Sequence, residues 1–346
     1  MPTNSVLLVG NFFSSSVSNR AVCEDLAERL TEAGWRVCVT SQRQARFARL
    51  ADMAWAAWRR RRDYCVAHVE VFSGPAFAWA EVVSEVVRTC GKPYVLTLRG
   101  GNLPELARRC PRRVRRLLGG AAAVTVPSAY LLERMRQYRQ DLCLIPNPIE
   151  IERYPFRLRS FPAPRLVWLR AFHRIYNPVL AVSVLRLLTE IMPEACLLMV
   201  GRDKQDGSLE RLSAEARRLG LWNRIKLIPG VPKVDAPRCL NRGDILLNTP
   251  DVDNTPVSVL EGMACGLCIV STDAGGLPYL IEDGRDGLLS PAGDPSAMTS
   301  NVLRLLKDPT LAAELSLNGR RKAESCDWAY VLPKWIGLLS SVASGR

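Results

Sequence analysis

Residues 251–278 read DVDNTPVSVLEGMACGLCIVSTDAGGLP. This one stretch holds a strand exit, a helix start, a short helix, a buried strand and a glycine turn. Asn254 or Thr255 suits an N-cap, and Pro256 suits the first helical position. Val257, Val259, Leu260 and Met263 give the helix an apolar face, and Gly266 suits its C-cap. Residues 267–272 read as a fully buried strand. A helix start offers free N–H groups and the positive end of a dipole, which together seat phosphate. Asp253 precedes that start and Glu261 lies one to two turns inside it, so the carboxylates stand about 10 Å apart. Acids on both sides of a phosphate seat bind hydroxyls on both sides of it. A nucleoside diphosphate sugar has that layout, with ribose on one acid and the sugar on the other.

Residues 254–294, NTPVSVLEGMACGLCIVSTDAGGLPYLIEDGRDGLLSPAGD, resemble the C-terminal signature of retaining glycosyltransferases of the GT-B fold, family four (glycosyl transferases group 1). That family carries a Glu-x7-Glu pair before Ala/Gly-Met-Ala-Cys/Ser-Gly. Here Glu261 is the second acid, and Asp253 takes the first place with a side chain one methylene shorter. A generic strand–helix–strand unit accounts for the apolar pattern, but not for the placed acids together with the GG turn.

The resemblance implies an α/β chain of two Rossmann-like doubly wound domains (GT-B) facing across a cleft. It also implies a retaining, metal-independent transfer of a sugar from a nucleotide-diphosphate sugar to a hydroxyl acceptor, by same-face attack. No prosthetic group is expected, and the nucleotide sugar is a co-substrate whose base stays open. On this reading Glu261 binds ribose, Asp253 the transferred sugar, and Arg170 with the backbone of Asn254, Thr255, Pro256 and Val257 the diphosphate. Gly230 and Val231 frame the base, and Gly275 and Gly276 turn the chain close to the ligand. The family places a Lys six residues after its Arg; here that position is Tyr176. Lys204, Arg174 and His173 lie near enough in sequence to replace it. In LTLRGGNLPE, Arg99 stands where the family has a His, followed by Gly100 and Gly101. An Arg cannot shuttle a proton, so Arg99 is expected to clamp the sugar or an acidic acceptor. The first loop, SSSVSN, lacks the family's glycine pair and offers Ser16, Ser18 and Asn19 toward the acceptor, with helix capping by Ser18 or Asn19 as the plainer reading.

The chain has 346 residues, enough for two domains. The domains are expected at residues 1–157 (acceptor) and 158–327 (donor), with the helix at about 328–346 packing back on the first. RLRSFPAPR, residues 157–165, reads as a polar linker between them. Strand and helix alternate on both sides of it, which argues for parallel sheets that bind ligands at the carboxyl ends of their strands.

No run of about 18 apolar residues is present, so no membrane span is expected. The opening MPTNSVLLVG has no basic n-region, so a cytoplasmic chain with reduced thiols is the expectation. Cys265-x-x-Cys268, the closest pair among 11 cysteines, reads as core packing rather than a redox or zinc site. Asp251-x-Asp253 looks like a metal motif of another glycosyltransferase fold, but its context fits the metal-free arrangement.

Net charge is +13 and uneven. Residues 1–160 hold 25 Lys and Arg against 14 Asp and Glu, an excess of 11. The acidic partner therefore belongs to the first half. Trp55 and Trp58 precede Arg59, Arg60, Arg61 and Arg62; a second tract holds Arg112, Arg113, Arg115 and Arg116. Aromatics beside polybasic runs suit the surface of an anionic membrane, with the protein lying on it. A solvated basic face is the plainer alternative, and no nucleic-acid motif accompanies the charge. The expected partners are thus a nucleotide sugar, a glycan or lipid-linked acceptor and an anionic membrane surface. The competing functions are a degenerate relative that binds nucleotide sugar or a partner without turnover, and a sugar-nucleotide epimerase. The latter would need acid/base histidines, and the chain has only His68 and His173.

Overall fold

The structure is a computed structural model and describes residues 4–12, 21–43 and 45–345. The chain divides into two compact units, Met1–Pro148 with Trp328–Arg346, and Ile149–Asp327.

Unit 1 alternates strand and helix in the order β1 (Ser5–Val9), α1 (Val22–Glu32), β2 (Arg36–Thr40), α2 (Arg46–Arg59), β3 (Val66–Val71), α3 (Ala76–Thr89), β4 (Tyr94–Leu98), α4 (Leu103–Arg109), α5 (Pro111–Gly119), β5 (Ala123–Val126), α6 (Ala129–Met135) and β6 (Leu142–Leu144). Its sheet runs β2-β1-β3-β4-β5-β6, and every pairing is parallel. Such strands are covered on both faces, hence their near-continuous Val, Leu and Ala. One face packs on α2, α3, α4 and α5 through Met53, Phe77, Val83, Leu103 and Leu117.

Unit 2 contains β7 (Arg165–Leu169), α7 (Pro178–Thr189), β8 (Cys196–Gly201), α8 (Ser208–Arg218), β9 (Ile225–Pro229), α9 (Ala236–Leu240), β10 (Ile245–Asn248), α10 (Val257–Ala264), β11 (Cys268–Thr272), α11 (Leu277–Leu280), β12 (Leu288–Ser290), α12 (Pro295–Lys307) and α13 (Pro309–Glu324). Its parallel sheet runs β12-β11-β10-β7-β8-β9. The order reverses between β7 and β10, and ligands of open α/β sheets sit at such a reversal, beyond the carboxyl ends of the strands.

The last helix, α14 (Trp328–Ser344), belongs to unit 1. Trp328, Val331, Trp335, Leu339 and Val342 recur every three or four residues and pack with α1 on the sheet's other face.

Residues 157–165 behave differently from a polar linker. They lie in unit 2, and Arg159 is 1% exposed. The Asp244 carboxylate gathers them, taking Arg157 Nη2 at 2.7 Å and Arg165 Nη2 at 2.7 Å, with Arg159 Nε at 3.6 Å. A charge 79 residues or more away in sequence thus pins the run to unit 2 and buries Arg159, while Leu158 and Phe161 stay exposed.

Candidate active site

The site in unit 2 is built where the strand order reverses. Arg170 leaves β7 and Asp253 lies beyond β10, and their side chains form an ion pair, each 13% exposed. The Arg170 guanidinium also lies over the ring of Tyr176, its carbon 3.9 Å from the ring centre. Two loops are tied together here. Thr249 Oγ1 donates to the Tyr176 carbonyl at 2.8 Å and accepts from Trp168 Nε1 at 2.8 Å. Asp251 N donates to the Ile175 carbonyl at 2.8 Å. Gly201 makes the approach possible: a Cβ there would sit 1.6 Å from the Arg170 carbonyl oxygen.

Asp253 Oδ1 accepts the Asn254 N–H at 2.8 Å. The chain then turns into α10 one residue later than the sequence indicates. Pro256 is the N-cap, in an extended conformation, and Val257 is the first helical residue. The delay has a cause in packing. Gly276 N donates to the Asp253 carbonyl at 3.0 Å, and Gly275 and Gly276 press against the backbone of Asp253 and Asn254. A Cβ at Gly275, whose φ is +60°, would lie 2.3 Å from the Asp253 carbonyl oxygen. The GG turn therefore shapes the loop that carries the acid. At the other end Gly266 (φ +78°) follows the Cys265 cap. Gly266 N reaches Met263 O and Leu267 N reaches Gly262 O, the paired bonds of a Schellman ending.

Glu261 is 7% exposed, and its Oε1 accepts the Tyr154 hydroxyl at 2.8 Å. Tyr154, 3% exposed, is held protonated far above the usual phenol range by burial first and by the Glu261 charge second. Gly230 (φ +48°) ends β9, donating to the Gly201 carbonyl at 2.9 Å, and Val231 follows it. Exposed Lys204 is drawn to the same end by its N–H bond to the Phe172 carbonyl at 3.1 Å. The structure thus brings Arg170, Tyr176, Asp253, Asn254 and the start of α10 to one sheet reversal, with Glu261 buried inside α10.

Residues 162–322 match the model of the family described as glycosyl transferases group 1. The likeness to that family lies within unit 2. An amylovoran biosynthesis glycosyltransferase, AmsK, of Erwinia amylovora is 28% identical over 44% of this chain and 42% of its own length. A GDP-mannose-dependent alpha-(1-6)-phosphatidylinositol monomannoside mannosyltransferase of Mycolicibacterium smegmatis is 29% identical over 47% of this chain and 44% of its own. The match thus spans less than half the length of either relative. The solved structure of a sucrose-phosphate synthase from Thermosynechococcus elongatus superposes with a TM-score of 0.83, covering 99% of this chain and 100% of that one at 17% identity. The fold is GT-B, two Rossmann-like units in one chain.

The unit 1 residues are placed less openly than the sequence indicates. Arg99 follows β4 and its side chain is 11% exposed. Its Nε donates to Glu70 Oε1 at 2.9 Å and its Nη1 to Asn147 Oδ1 at 2.6 Å. Its Nη2 is buried with no partner among the described residues. The group is a pinned half of an ion pair. Gly100 packs on Ser73, where a Cβ would lie 2.8 Å from the backbone nitrogen, and Gly101 continues that turn. Ser16, Ser18 and Asn19 fall outside the described residues.

Both histidines make structural hydrogen bonds. His68 is fully buried in β3, bonds Thr97 Oγ1 at 2.6 Å, and is pushed down to about 3 by burial and then by Arg99. His173 Nδ1 accepts the Ile175 N–H at 3.3 Å and so caps a short turn. Cys265 and Cys268 are buried, and burial pushes both thiols up to about 12. Among the described residues no group of three or more His, Cys, Asp or Glu is placed to hold a metal.

The basic tracts separate. Trp55 and Trp58 on α2 are 60% and 46% exposed with rings 5.1 Å apart, and Arg61 lies 4.7 Å over Trp58. In the second tract Arg113 is taken by Glu81 and the Phe77 ring, and Arg115 lies over Tyr138; Arg112 and Arg116 are exposed. Among the described residues no helix is long and apolar enough to cross a membrane.

Sequence reading missed Glu70 and Asn147 around Arg99, Tyr154 on Glu261, and α2. None carried a signal of its own: Tyr154 is one of three aromatics, with Phe156 and Phe161, in the approach to β7.

Proposed function

We propose that the protein is a retaining glycosyltransferase that moves a sugar from a nucleotide-diphosphate sugar to a hydroxyl acceptor in glycan or glycolipid biosynthesis. One observation carries the reading: Arg170 and Asp253 meet at the sheet reversal of unit 2, directly before the start of α10, with Glu261 buried inside that helix. Unit 2 would hold the donor. Glu261 takes the ribose hydroxyls, and the Arg170 guanidinium and the first amides of α10 take the diphosphate. As the glycosidic bond breaks, charge grows on the diphosphate, and a fixed cation and helix dipole stabilise it without reorganisation. Asp253, oriented by Arg170, takes the sugar hydroxyls. Unit 1 would hold the acceptor, and same-face attack by its hydroxyl retains configuration. The AmsK and mannosyltransferase likenesses support the transferase reading, and the GDP-mannose dependence and phosphatidylinositol monomannoside of the latter support a nucleotide sugar and a lipid-borne acceptor.

A thermal-shift panel of nucleotides and nucleotide sugars, followed by donor hydrolysis with any hit, tests it. Stabilisation with slow hydrolysis supports the enzyme. Stabilisation without turnover under any acceptor favours a non-catalytic binder.

The acceptor side includes an anionic membrane surface in this reading. Trp55 and Trp58 are exposed on α2 beside Arg59–Arg62, with exposed Phe47 at the helix's other end, an apolar and cationic edge that suits the headgroup region. Co-sedimentation with anionic and neutral vesicles decides it: preference for the anionic ones supports the surface, and equal binding removes it.

A further inference from the structure

Unit 1 contains a cavity of about 240 Å³ at the carboxyl ends of β1 and β3, the point where its own strand order reverses. Asn11, Arg46, Arg49, Met53, Glu70 and Trp79 are among its lining residues. Arg46 and Arg49 stand one turn apart on α2, whose first turn has no acid. Arg49 Nε donates to the Arg43 carbonyl at 2.8 Å and its Nη1 to Asn11 Oδ1 at 3.3 Å. Its guanidinium carbon lies 5.2 Å from the Trp79 ring centre. The carboxylate of the lining, Glu70, is already engaged by Arg99 at 2.9 Å. Two cations thus share a wall, while Met53 and Trp79 supply an apolar one. Burial, then the Arg46 charge, push the Arg49 guanidinium down from its usual value, so an anion bound between them relieves a repulsion already present.

We propose that this cavity seats the anionic group of the acceptor, a phosphate ester or a carboxylate on a sugar ring, with Arg46 and Arg49 selecting the charge and Trp79 packing on the ring. The assignment rests on the transferase reading above, because it names the class of acceptor. A planar cation fixed over an aromatic, with a second cation one turn away, is suited to bidentate binding of such an oxyanion.

The test is calorimetric titration of the full chain with glucose 1-phosphate, glucuronate and neutral glucose, with nucleoside diphosphate present to fill the unit 2 seat. We expect at least one charged sugar to bind and glucose not to; which one binds separates phosphate from carboxylate. Arg49→Ala weakens that binding by about tenfold or more, the loss of a charged hydrogen bond. Arg49→Lys weakens it less. Arg46→Ala, at an exposed position that carries no fold, weakens it too. The remote Arg218→Ala leaves it unchanged. Equal binding of neutral and charged sugars, no binding of either charged sugar, or charged-sugar binding that survives both Arg46→Ala and Arg49→Ala, overturns the proposal. Nucleotide binding read in the same titrations keeps the two ideas apart. Nucleotide bound with the anion arm lost removes the cavity alone; the anion arm kept with no nucleotide bound removes the donor reading alone.

Discussion

Arg170 lies across the face of Tyr176, 3.9 Å from carbon to ring centre, and pairs with Asp253 at the same time. By the resemblance given above, Tyr176 stands at the position of a second cation. Here the aromatic face positions the first cation instead of adding another. A ring quadrupole under a partly buried guanidinium is worth about 0.5–2 kcal/mol. Tyr176→Phe should therefore keep donor turnover, and Tyr176→Ala should lower kcat/KM by about tenfold. Steady-state kinetics with any donor found by the nucleotide panel measures both. Equal loss in the two variants would mean that the hydroxyl, not the ring, matters.

Tyr154 reaches Glu261 from outside the signature stretch, at 2.8 Å. Its bond fixes one carboxylate oxygen. A net hydrogen bond of this kind contributes about 0.5–1.5 kcal/mol. Tyr154→Phe should raise the nucleotide Kd by roughly three- to tenfold and lower the melting temperature by a few degrees. An unchanged Kd would show that Glu261 needs no such support.

Asp244 is 2% exposed and is the counter-charge of buried Arg159, whose guanidinium is pushed down to about 10, mainly by burial. Removing one partner of a buried pair leaves the other charge uncompensated, at a cost of about 3–5 kcal/mol. Asp244→Ala should destabilise unit 2 by that order in urea unfolding. A loss below about 1 kcal/mol would show that the carbonyls of Arg157, Gly243 and Cys265 hold Arg159 by themselves.

His68 is pushed down to about 3 in the folded chain, from an ordinary value of 6.5. The unfolded chain therefore takes up a proton between those values that the folded chain refuses, so stability falls as pH drops from 6.5 toward 3. Between neutrality and pH 5 the His68 contribution to that fall is about 2 kcal/mol. His68→Gln keeps a polar group opposite Thr97 without the titration, so its stability should fall less over the same range. Parallel pH curves for the two proteins would contradict the assignment.

The fold of unit 2 was legible because its parts are local. The capping residues, Asp253, Glu261 and the GG turn lie within one short stretch, and the strand and helix periods around them agree. What tertiary structure alone assembles was not legible. Glu70 meets Arg99 across 29 residues, and Asp244 meets Arg165 across 79, so Arg99 reads as an open clamp and residues 157–165 as a linker. Helix α2 escaped because only Met53 and Ala57 are buried, too few to mark a period. Strand β12, Leu288–Ser290, is too short to announce itself. The start of α10 shifted by one residue because the approach of Gly275 and Gly276 fixes the preceding loop.

Titration of the full chain with uridine, guanosine and adenosine diphosphates, beside Glu261→Ala and Arg170→Ala, tests the donor site most directly. The account predicts that one nucleotide binds the native chain and that each substitution weakens it by about tenfold or more. Binding that survives both substitutions, or none by any nucleotide, would contradict it.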